Sequence, residues 1–254
     1  MKLATFHDLK GASVFITGGG NGIGATLTQG FLEQGAKVAF VGRSDASAFV
    51  DDMAGRTGNR PLFIKCDVTD IPALHAAMDR AEQAHGPLNV LVNNAANDQR
   101  FDALTVTEAD WDAMQAVNLK HYFFACQHAA KSMAGRGGAI VNYSSTSYMI
   151  GSLHLQVYVA ANAGIVGLTR SLAREWGPQN IRVNAIAPGW VMTQKQREKW
   201  VTPEGIAAHL DRQCIPIAMN PEDMIGGTLF LASNASKMMT GQCIAIDGGV
   251  VVTG

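Results

Sequence analysis

The sequence lacks several features that would place it in a specialised class of protein. Its 254 residues carry 20 Lys and Arg against 21 Asp and Glu, which leaves a formal net charge of -1. This balance does not favour binding to nucleic acid or to an anionic membrane. No apolar run approaches the roughly 20 residues of a membrane-spanning helix. Residues 1–7 lack the apolar core of a signal peptide, so we expect a cytoplasmic protein.

Cysteine is also scarce, and the four cysteines lie far apart at positions 66, 126, 214 and 243. They do not have the spacing of metal ligands, which predicts free thiols in a reducing compartment and no metal site. In contrast, 47% of the residues are hydrophobic and 27 are glycine, as in a packed globular protein. No linker, repeat or low-complexity segment interrupts the chain, so we predict one domain over residues 1–254.

Short apolar runs alternate with segments of helical spacing along the whole chain. This alternation predicts an α/β fold with a single doubly wound, Rossmann-type parallel sheet that is covered on both faces. The predicted strands are Ala12–Thr17, Lys37–Val41, Leu62–Cys66, Leu88–Asn93, Gly138–Tyr143, Ile181–Ala187 and Gln242–Ile246. A capping box that begins at Thr107 predicts one long helix to about Ala134. Further helices are predicted at 194–213, interrupted at Pro203, and at Pro221–Leu231.

A glycine-rich segment, Thr-Gly-Gly-Gly-Asn-Gly-Ile-Gly at 17–24, follows the first predicted strand and opens the first predicted helix. Glycines at this place allow the backbone to approach a pyrophosphate, whose charge is favoured at a helix N-terminus. A tight turn with no ligand is the weaker alternative, because a strand precedes the segment and a helix follows it. The segment therefore predicts a dinucleotide site.

Further motifs follow in the order that the short-chain dehydrogenase/reductase family has them, and the chain resembles that family along its length. These are Asp67-Val68, Asn93-Asn94-Ala95-Ala96, Asn118, the segment 188–193 and Asp247-Gly248-Gly249. The resemblance implies a nicotinamide dinucleotide cofactor and a homotetramer. The cofactor residues that it implies are Gly18, Asn21, Gly22, Ile23, Gly24, Asp67, Val68, Asn94, Ala95, Tyr158, Asn162, Pro188, Val191 and Thr193.

The choice between NAD and NADP depends on the residues after the second predicted strand. NAD selection uses an acid there, but this chain has Arg43 and Ser44, with no acid before Asp45. Arg43 can face a 2′-phosphate through charge-assisted hydrogen bonds. A solvated loop arginine is the alternative. We favour NADP slightly over NAD, with use of both left open.

The resemblance also implies a catalytic group. Ser145 precedes Tyr158 by thirteen residues, which is the family interval. In the family the serine holds the substrate oxygen, the tyrosine acts as base, and an asparagine matching Asn118 supports the site. The family has a lysine four residues after the tyrosine, where this chain has Asn162. Because a nearby cation lowers a tyrosine pKa by roughly 1–3, we expect about 10- to 1000-fold less activity near neutral pH and recovery at alkaline pH.

Two segments resemble the aldose 1-dehydrogenase group of that family. Polar residues after the fourth predicted strand, Asp98 and Arg100, are followed by Phe101, and residues 190–215 resemble a substrate lid. The resemblance implies oxidation of a cyclic aldose to a lactone, with NAD(P)+ as the acceptor. The candidate substrate residues are Asp98, Arg100, Phe101, Ser147, Gln156, Trp190 and Trp200. The alternatives are an NAD(P)H-dependent ketone reductase, a weakly catalytic NAD(P)-binding protein and, for Asp98 and Arg100, a solvated ion pair.

Overall fold

The computed structural model describes residues 4–252, which contain a sheet of seven parallel strands. The strands follow the spatial order β3-β2-β1-β4-β5-β6-β7. They are β1 (Ser13–Thr17), β2 (Lys37–Gly42), β3 (Leu62–Lys65), β4 (Val90–Asn93), β5 (Gly138–Tyr143), β6 (Ile181–Pro188) and β7 (Cys243–Ile246). The predicted doubly wound parallel sheet is therefore confirmed, and each strand lies within two residues of its predicted bounds.

Helices cover both faces of the sheet. In chain order they are α1 (Gly22–Glu33), α2 (Ser47–Thr57), α3 (Ile71–His85), α4 (Glu108–Gln115), α5 (His121–Met133), α6 (Ser147–Ile150), α7 (Gln156–Trp176), α8 (Gln194–Lys199), α9 (Pro203–Leu210) and α10 (Ile225–Ala232). No helix in residues 4–252 is long and apolar enough to cross a membrane.

Two buried clusters form the core, one on each face of the sheet. Alternate residues of a strand point to opposite faces. Thus Ile16 and Phe40 pack with Phe31 of α1 on one face, whereas Phe15 packs with Leu74 of α3 on the other. Because both faces are buried, the strands are apolar along their length, which is why their positions are readable in the sequence.

The predicted helix from Thr107 to Ala134 is interrupted. Its N-terminal capping box forms between Thr107 and Asp110, but a π-helical segment, Ala116–Lys120, separates α4 from α5. Asn118 lies within this segment and its amide donates to the carbonyl oxygens of Met114 at 2.9 Å and Asn97 at 3.0 Å. The π turn thus allows the Asn118 side chain to bond to the loop after β4 while the helix continues.

The helices after β6 are also shorter than predicted. The 194–213 segment divides into α8 and α9, since Pro203 starts a new helix for which the Thr202 side chain accepts a hydrogen bond from the Gly205 amide. Similarly, the predicted helix at Pro221–Leu231 begins as a 3₁₀ helix, Pro221–Met224, and continues as α10. Residues 211–220, between α9 and the 3₁₀ helix, form an irregular connection of turns and bends.

The order of the strands creates a crevice at the carboxyl ends of the central strands. The chain winds outward from β1 to β3 and then returns to place β4 on the other side of β1. Loops after β1 and β4 therefore diverge, and a crevice at such a point is where ligands bind in open parallel sheets. The glycine-rich loop, the loop after β4 and Ser145 follow the carboxyl ends of their strands here, and Pro188 is the last residue of β6.

Candidate active site

The glycine-rich loop joins β1 to α1 with the close backbone approach that a pyrophosphate site requires. Gly18 has a φ of +70°, and a side-chain carbon at Gly24 would lie 2.0 Å from the Gly18 carbonyl oxygen. The Asn21 side chain does not cap the first turn of α1, and that turn has no acidic residue. Its backbone N–H groups are thus available to an anion, so these residues fit the phosphates of a dinucleotide.

Asn94 connects the ends of β4 and β1 at the crevice. Its backbone N–H donates to the Thr17 hydroxyl at 2.9 Å, and its amide group donates to the carbonyl oxygens of Thr17 and Gly18, both at 3.2 Å. The Ala95 N–H donates to the same hydroxyl at 3.0 Å. These bonds fix the start of the glycine-rich loop against the end of β4.

The residues predicted to hold the adenosine end lie after β2 and β3. Arg43 and Ser44 are exposed, while Asp67 accepts hydrogen bonds from the backbone and hydroxyl of Thr69 at 3.0 and 2.8 Å. These bonds, together with the charge of Arg43, hold the pKa of Asp67 below its usual value. The Arg43 side chain is exposed, so its guanidinium is accessible to an anionic ligand.

A cavity of about 420 Å³ lies beyond the glycine-rich loop, between the strand ends and the lid helices. Eleven predicted site residues line it: Ile23, Asn94, Asp98, Arg100, Ser145, Ser147, Tyr158, Pro188, Trp190, Val191 and Thr193. Fourteen predicted residues do not line it: Asn118, Asn162, Phe101, Gln156, Trp200, Gly18, Asn21, Gly22, Gly24, Arg43, Ser44, Asp67, Val68 and Ala95. The cavity thus brings Ser145 and Tyr158 together with four of the seven substrate candidates and with most of the residues predicted at the nicotinamide end.

Tyr158 and Ser145 meet in the wall of this cavity. Ser145 follows β5, and its hydroxyl accepts a hydrogen bond from the Ser147 backbone at 3.1 Å. Burial raises the pKa of Tyr158 to about 12, and the charge of Asp98 adds to this increase, whereas Asn162 and Ser145 act in the opposite direction. The phenol is consequently neutral at pH 7, and it is a weaker acid than free tyrosine.

Asn162 lies one helical turn after Tyr158 and is 2% exposed. Its amide donates to the Tyr158 carbonyl oxygen at 2.8 Å, so one of its two N–H groups is used within α7. The backbone carbonyl oxygen of Asn162 accepts a hydrogen bond from the Ser144 hydroxyl at 3.0 Å. Asn162 therefore supports the backbone between the two predicted catalytic residues, but it brings no charge to the phenol.

Asp98 and Arg100, both predicted to bind substrate, contact the lid. One oxygen of Asp98 accepts from the Lys195 ammonium group and the other from the Gln196 amide at 2.6 Å. Burial alone would raise the pKa of Asp98, but these partners hold it below its usual value. Arg100 lies 4.0 Å above the Trp200 ring. These two contacts fasten the segment that contains α8 to the loop after β4.

Several polar atoms around the cavity are buried without a hydrogen-bond partner among residues 4–252. They belong to Ser147 (Oγ), Gln156 (Oε1), Trp200 (Nε1) and His209 (Nε2). Buried polar atoms are nearly always paired in folded proteins. Ser147 and His209 are the two of these four residues that line the cavity, and a polar ligand there would complete their hydrogen bonding.

Some residues that line the cavity were not predicted from the sequence. Lys195, Gln196 and His209 come from the lid, while Tyr122 and Tyr143 come from α5 and β5. The lid residues could have been found only as polar positions in a segment already resembling a lid. Tyr122 and Tyr143 read as core residues, and they are in fact buried at 0% and 5% exposure.

Comparisons with known proteins agree with this geometry. A family model described as Enoyl-(Acyl carrier protein) reductase matches residues 18–251. A Rhizobium meliloti protein named "Probable galactose dehydrogenase GalD" is 47% identical over 96% of this chain and 97% of its own. A Caulobacter vibrioides D-xylose 1-dehydrogenase is 43% identical over 98% of this chain and 99% of its own. A solved variant of a Serratia marcescens short-chain dehydrogenase/reductase superposes with a TM-score of 0.89, at 31% identity over 97% of this chain and 100% of that chain.

Proposed function

Because the chain belongs to the short-chain dehydrogenase/reductase family, we propose that it oxidises a cyclic aldose to a lactone with NAD(P)+. The observation that carries the proposal is the cavity in which Tyr158 and Ser145 share a wall with polar residues of the lid. The names of two similar proteins, a galactose dehydrogenase and a D-xylose 1-dehydrogenase, support a sugar as the substrate.

Each of the site residues would have its own role in the reaction. Tyr158 would take the proton of the anomeric hydroxyl, while the Ser145 hydroxyl holds the same oxygen. The bound cofactor would supply the nicotinamide that receives the hydride from the anomeric carbon. Loss of that hydride and that proton leaves a carbonyl on the ring, which is the lactone. Asn118 would support the site by fixing the loop that carries Asp98, to which its side chain is bonded through Asn97.

Recognition of a polyhydroxylated ligand is supported by the lining of the cavity. The hydroxyl of Ser147 is buried without a partner, and the aromatic side chain of Trp190 lines the same cavity. An aromatic face suits the apolar side of a sugar ring, while hydroxyls and carboxylates suit its rim. Phe101, Gln156 and Trp200 would act from behind this wall, since they do not line the cavity.

We further propose that NADP is the preferred cofactor, with NAD as an alternative. The exposed Arg43 guanidinium, one residue after β2, supports this assignment because it can pair with a 2′-phosphate. The remaining predicted cofactor residues would hold the pyrophosphate and the nicotinamide end. Asn162, whose second amide N–H is not used by the Tyr158 carbonyl, would bond to the ribose.

One observation favours a second candidate function, a weakly catalytic NAD(P)-binding protein. Asn162 supplies no cation to a phenol whose pKa is raised to about 12. Against this candidate, Ser145 and Tyr158 both line the cavity, where a protein without a reaction has no need of them. A ketone reductase would use the same residues for the reverse reaction, in which Tyr158 would donate a proton to the substrate oxygen.

The test is to measure initial rates in both directions. Wild-type protein is supplied with NADP+ or NAD+ and a panel of aldoses, then with NADPH or NADH and a panel of ketones, at pH 7 to 10. We expect aldose oxidation that increases with pH, with a lactone as product, and loss of turnover in Tyr158→Phe. Ketone reduction without aldose oxidation would refute the proposal, and cofactor binding without either reaction would support the second candidate.

Assembly and location are proposed on separate observations. We propose a homotetramer, supported by the exposed aromatic side chains of Trp111 on α4 and Phe123 on α5, which suit a contact between subunits. Light scattering of the purified protein tests it. We propose a cytoplasmic location because all four cysteines are free thiols, as is usual in reducing compartments.

A further inference from the structure

His209 lies in the lid, in the last turn of α9, and its ring lines the cavity. Gly205 precedes it by one helical turn, so both residues face the same direction. A side-chain carbon at Gly205 would lie 3.8 Å from the Trp190 ring. The His209 ring meets the same indole edge to face, with centroids 5.4 Å apart and planes at 89°. Trp190 thus packs under α9 and fixes the orientation of the imidazole.

The Nε2 atom of His209 is buried and has no hydrogen-bond partner among residues 4–252. The indole N–H of Trp190, whose ring the imidazole contacts, donates to Gln196 at 2.9 Å and not to His209. Gln196 in turn donates to Asp98, which also accepts from Lys195. Hydrogen bonds thus link Trp190, Gln196, Asp98 and Lys195 to one another, and His209 has no bond to this set.

The charge state of His209 suits a hydroxyl partner. Burial lowers the pKa of the imidazole, Arg212 lowers it further, and Asp247 acts in the opposite direction. The ring is therefore neutral at pH 7, and a neutral imidazole has one N–H donor and one acceptor nitrogen. A sugar hydroxyl can pair with either, whereas a phosphate or carboxylate can only accept from the N–H and finds no positive charge on the ring.

We propose that His209 Nε2 forms a hydrogen bond with a hydroxyl of the bound aldose other than the one that reacts, and so helps to select the sugar. This rests on the proposed function. His209 belongs to the lid, whereas Ser145 follows β5 and Tyr158 lies in α7. The hydroxyl that reacts and the hydroxyl that bonds to His209 therefore lie on different sides of the ligand. His209 is thus a specificity residue and takes no part in the proton or hydride transfer.

The test compares side chains that differ in where they place a polar atom. His209→Gln puts an amide near the position of Nε2, His209→Asn puts it near Nδ1, and His209→Leu removes it. Glu204→Gln, an exposed change on the same helix, is the matched control. Dissociation constants for aldoses are measured by calorimetry with oxidised cofactor present, and kcat/KM is measured in parallel.

We expect His209→Leu and His209→Asn to weaken the binding of the preferred aldose about 10- to 100-fold, and His209→Gln to stay within roughly 5-fold of wild type. The deoxy sugar that lacks the contacted hydroxyl should bind wild type and His209→Leu equally. Equal binding of every aldose by wild type, His209→Asn and His209→Leu would overturn the inference. Because Gln and Asn are both polar amides, their comparison decides even if the leucine variant does not fold.

The same measurements separate this inference from the proposed reaction. If wild type binds an aldose without oxidising it, the proposed reaction is refuted, and the ratios of dissociation constants still decide on His209. If wild type oxidises an aldose and the ratios are all near one, the reaction stands and the role of His209 is refuted. If wild type binds no aldose at all, both are refuted.

Discussion

Restoring a cation beside Tyr158 is the most direct test of how this site works. Asn162 is one helical turn from Tyr158 on α7, so an Asn162→Lys side chain would lie on the same face as the phenol. The amide of Asn162 is buried and bonded to the Tyr158 carbonyl, so the substitution exchanges one hydrogen bond for a charge.

The expected gain follows from the pKa of the phenol. With a pKa of about 12, only about one Tyr158 in 10⁵ is ionised at pH 7. A cation within roughly 4–6 Å lowers such a pKa by about 1–3. If the reaction uses the ionised phenol, Asn162→Lys should therefore raise kcat at pH 7 by about 10- to 1000-fold. The gain should shrink as the pH rises toward the pKa, because the wild-type phenol then ionises without help.

The assay is a pH profile of kcat from pH 6 to 11 with saturating aldose and cofactor. Asn162→Met is the matched control, because it has an unbranched side chain similar in length to lysine but no charge. Both variants are first compared with wild type by thermal unfolding, so that a loss of fold is not read as a loss of catalysis. An Asn162→Lys protein that folds, and whose profile and rate at pH 7 match those of Asn162→Met, would refute the reasoning.

Three further predictions test other parts of the site. Gly24→Ala should weaken cofactor binding at least 10-fold in a fluorescence titration and lower the thermal midpoint, because the added carbon would collide with the Gly18 carbonyl oxygen. Arg43→Asp should lower kcat/KM for NADP+ about 10- to 100-fold and change that for NAD+ much less; equal losses would refute the 2′-phosphate contact. Asp98→Asn should raise KM for the aldose by up to about 5-fold, since it weakens the bond to Lys195. It should also move the pH profile to lower pH, since the Asp98 charge adds to the high pKa of Tyr158.

The parts of the fold that were predicted correctly are those that local sequence determines. Strands buried on both faces must be apolar along their length, and the short apolar runs of the sequence therefore mark their positions to within two residues. The break between α4 and α5 was not predictable. It depends on a bond from Asn118 to the loop at Asn97, and neither helical spacing nor capping contains information about such a distant contact.

The candidate site likewise contains some residues that the sequence could predict and others that it could not. The glycine-rich loop and Ser145 lie at strand ends, where their motifs predict them, and Tyr158 of α7 lines the same cavity as Ser145. The partners of Asp98 were missed because Lys195 and Gln196 are 97 and 98 residues away in the chain. His209 was missed for a similar reason, since only folding shows that its Nε2 atom is buried without a partner.

The charges of the cavity connect the missing lysine to the lid. Asp98 raises the pKa of Tyr158, and a lysine at position 162 would have opposed that effect from within α7. In this chain the charge that pairs with Asp98 is Lys195, which is brought to it by the lid. A lid movement that separated the two would leave the carboxylate facing the phenol without its partner, and Tyr158 would become still harder to ionise. Proton transfer to Tyr158 should therefore be most favourable when Lys195 of the lid is bonded to Asp98. The contact that closes the cavity then also limits the increase that Asp98 causes in the pKa of Tyr158.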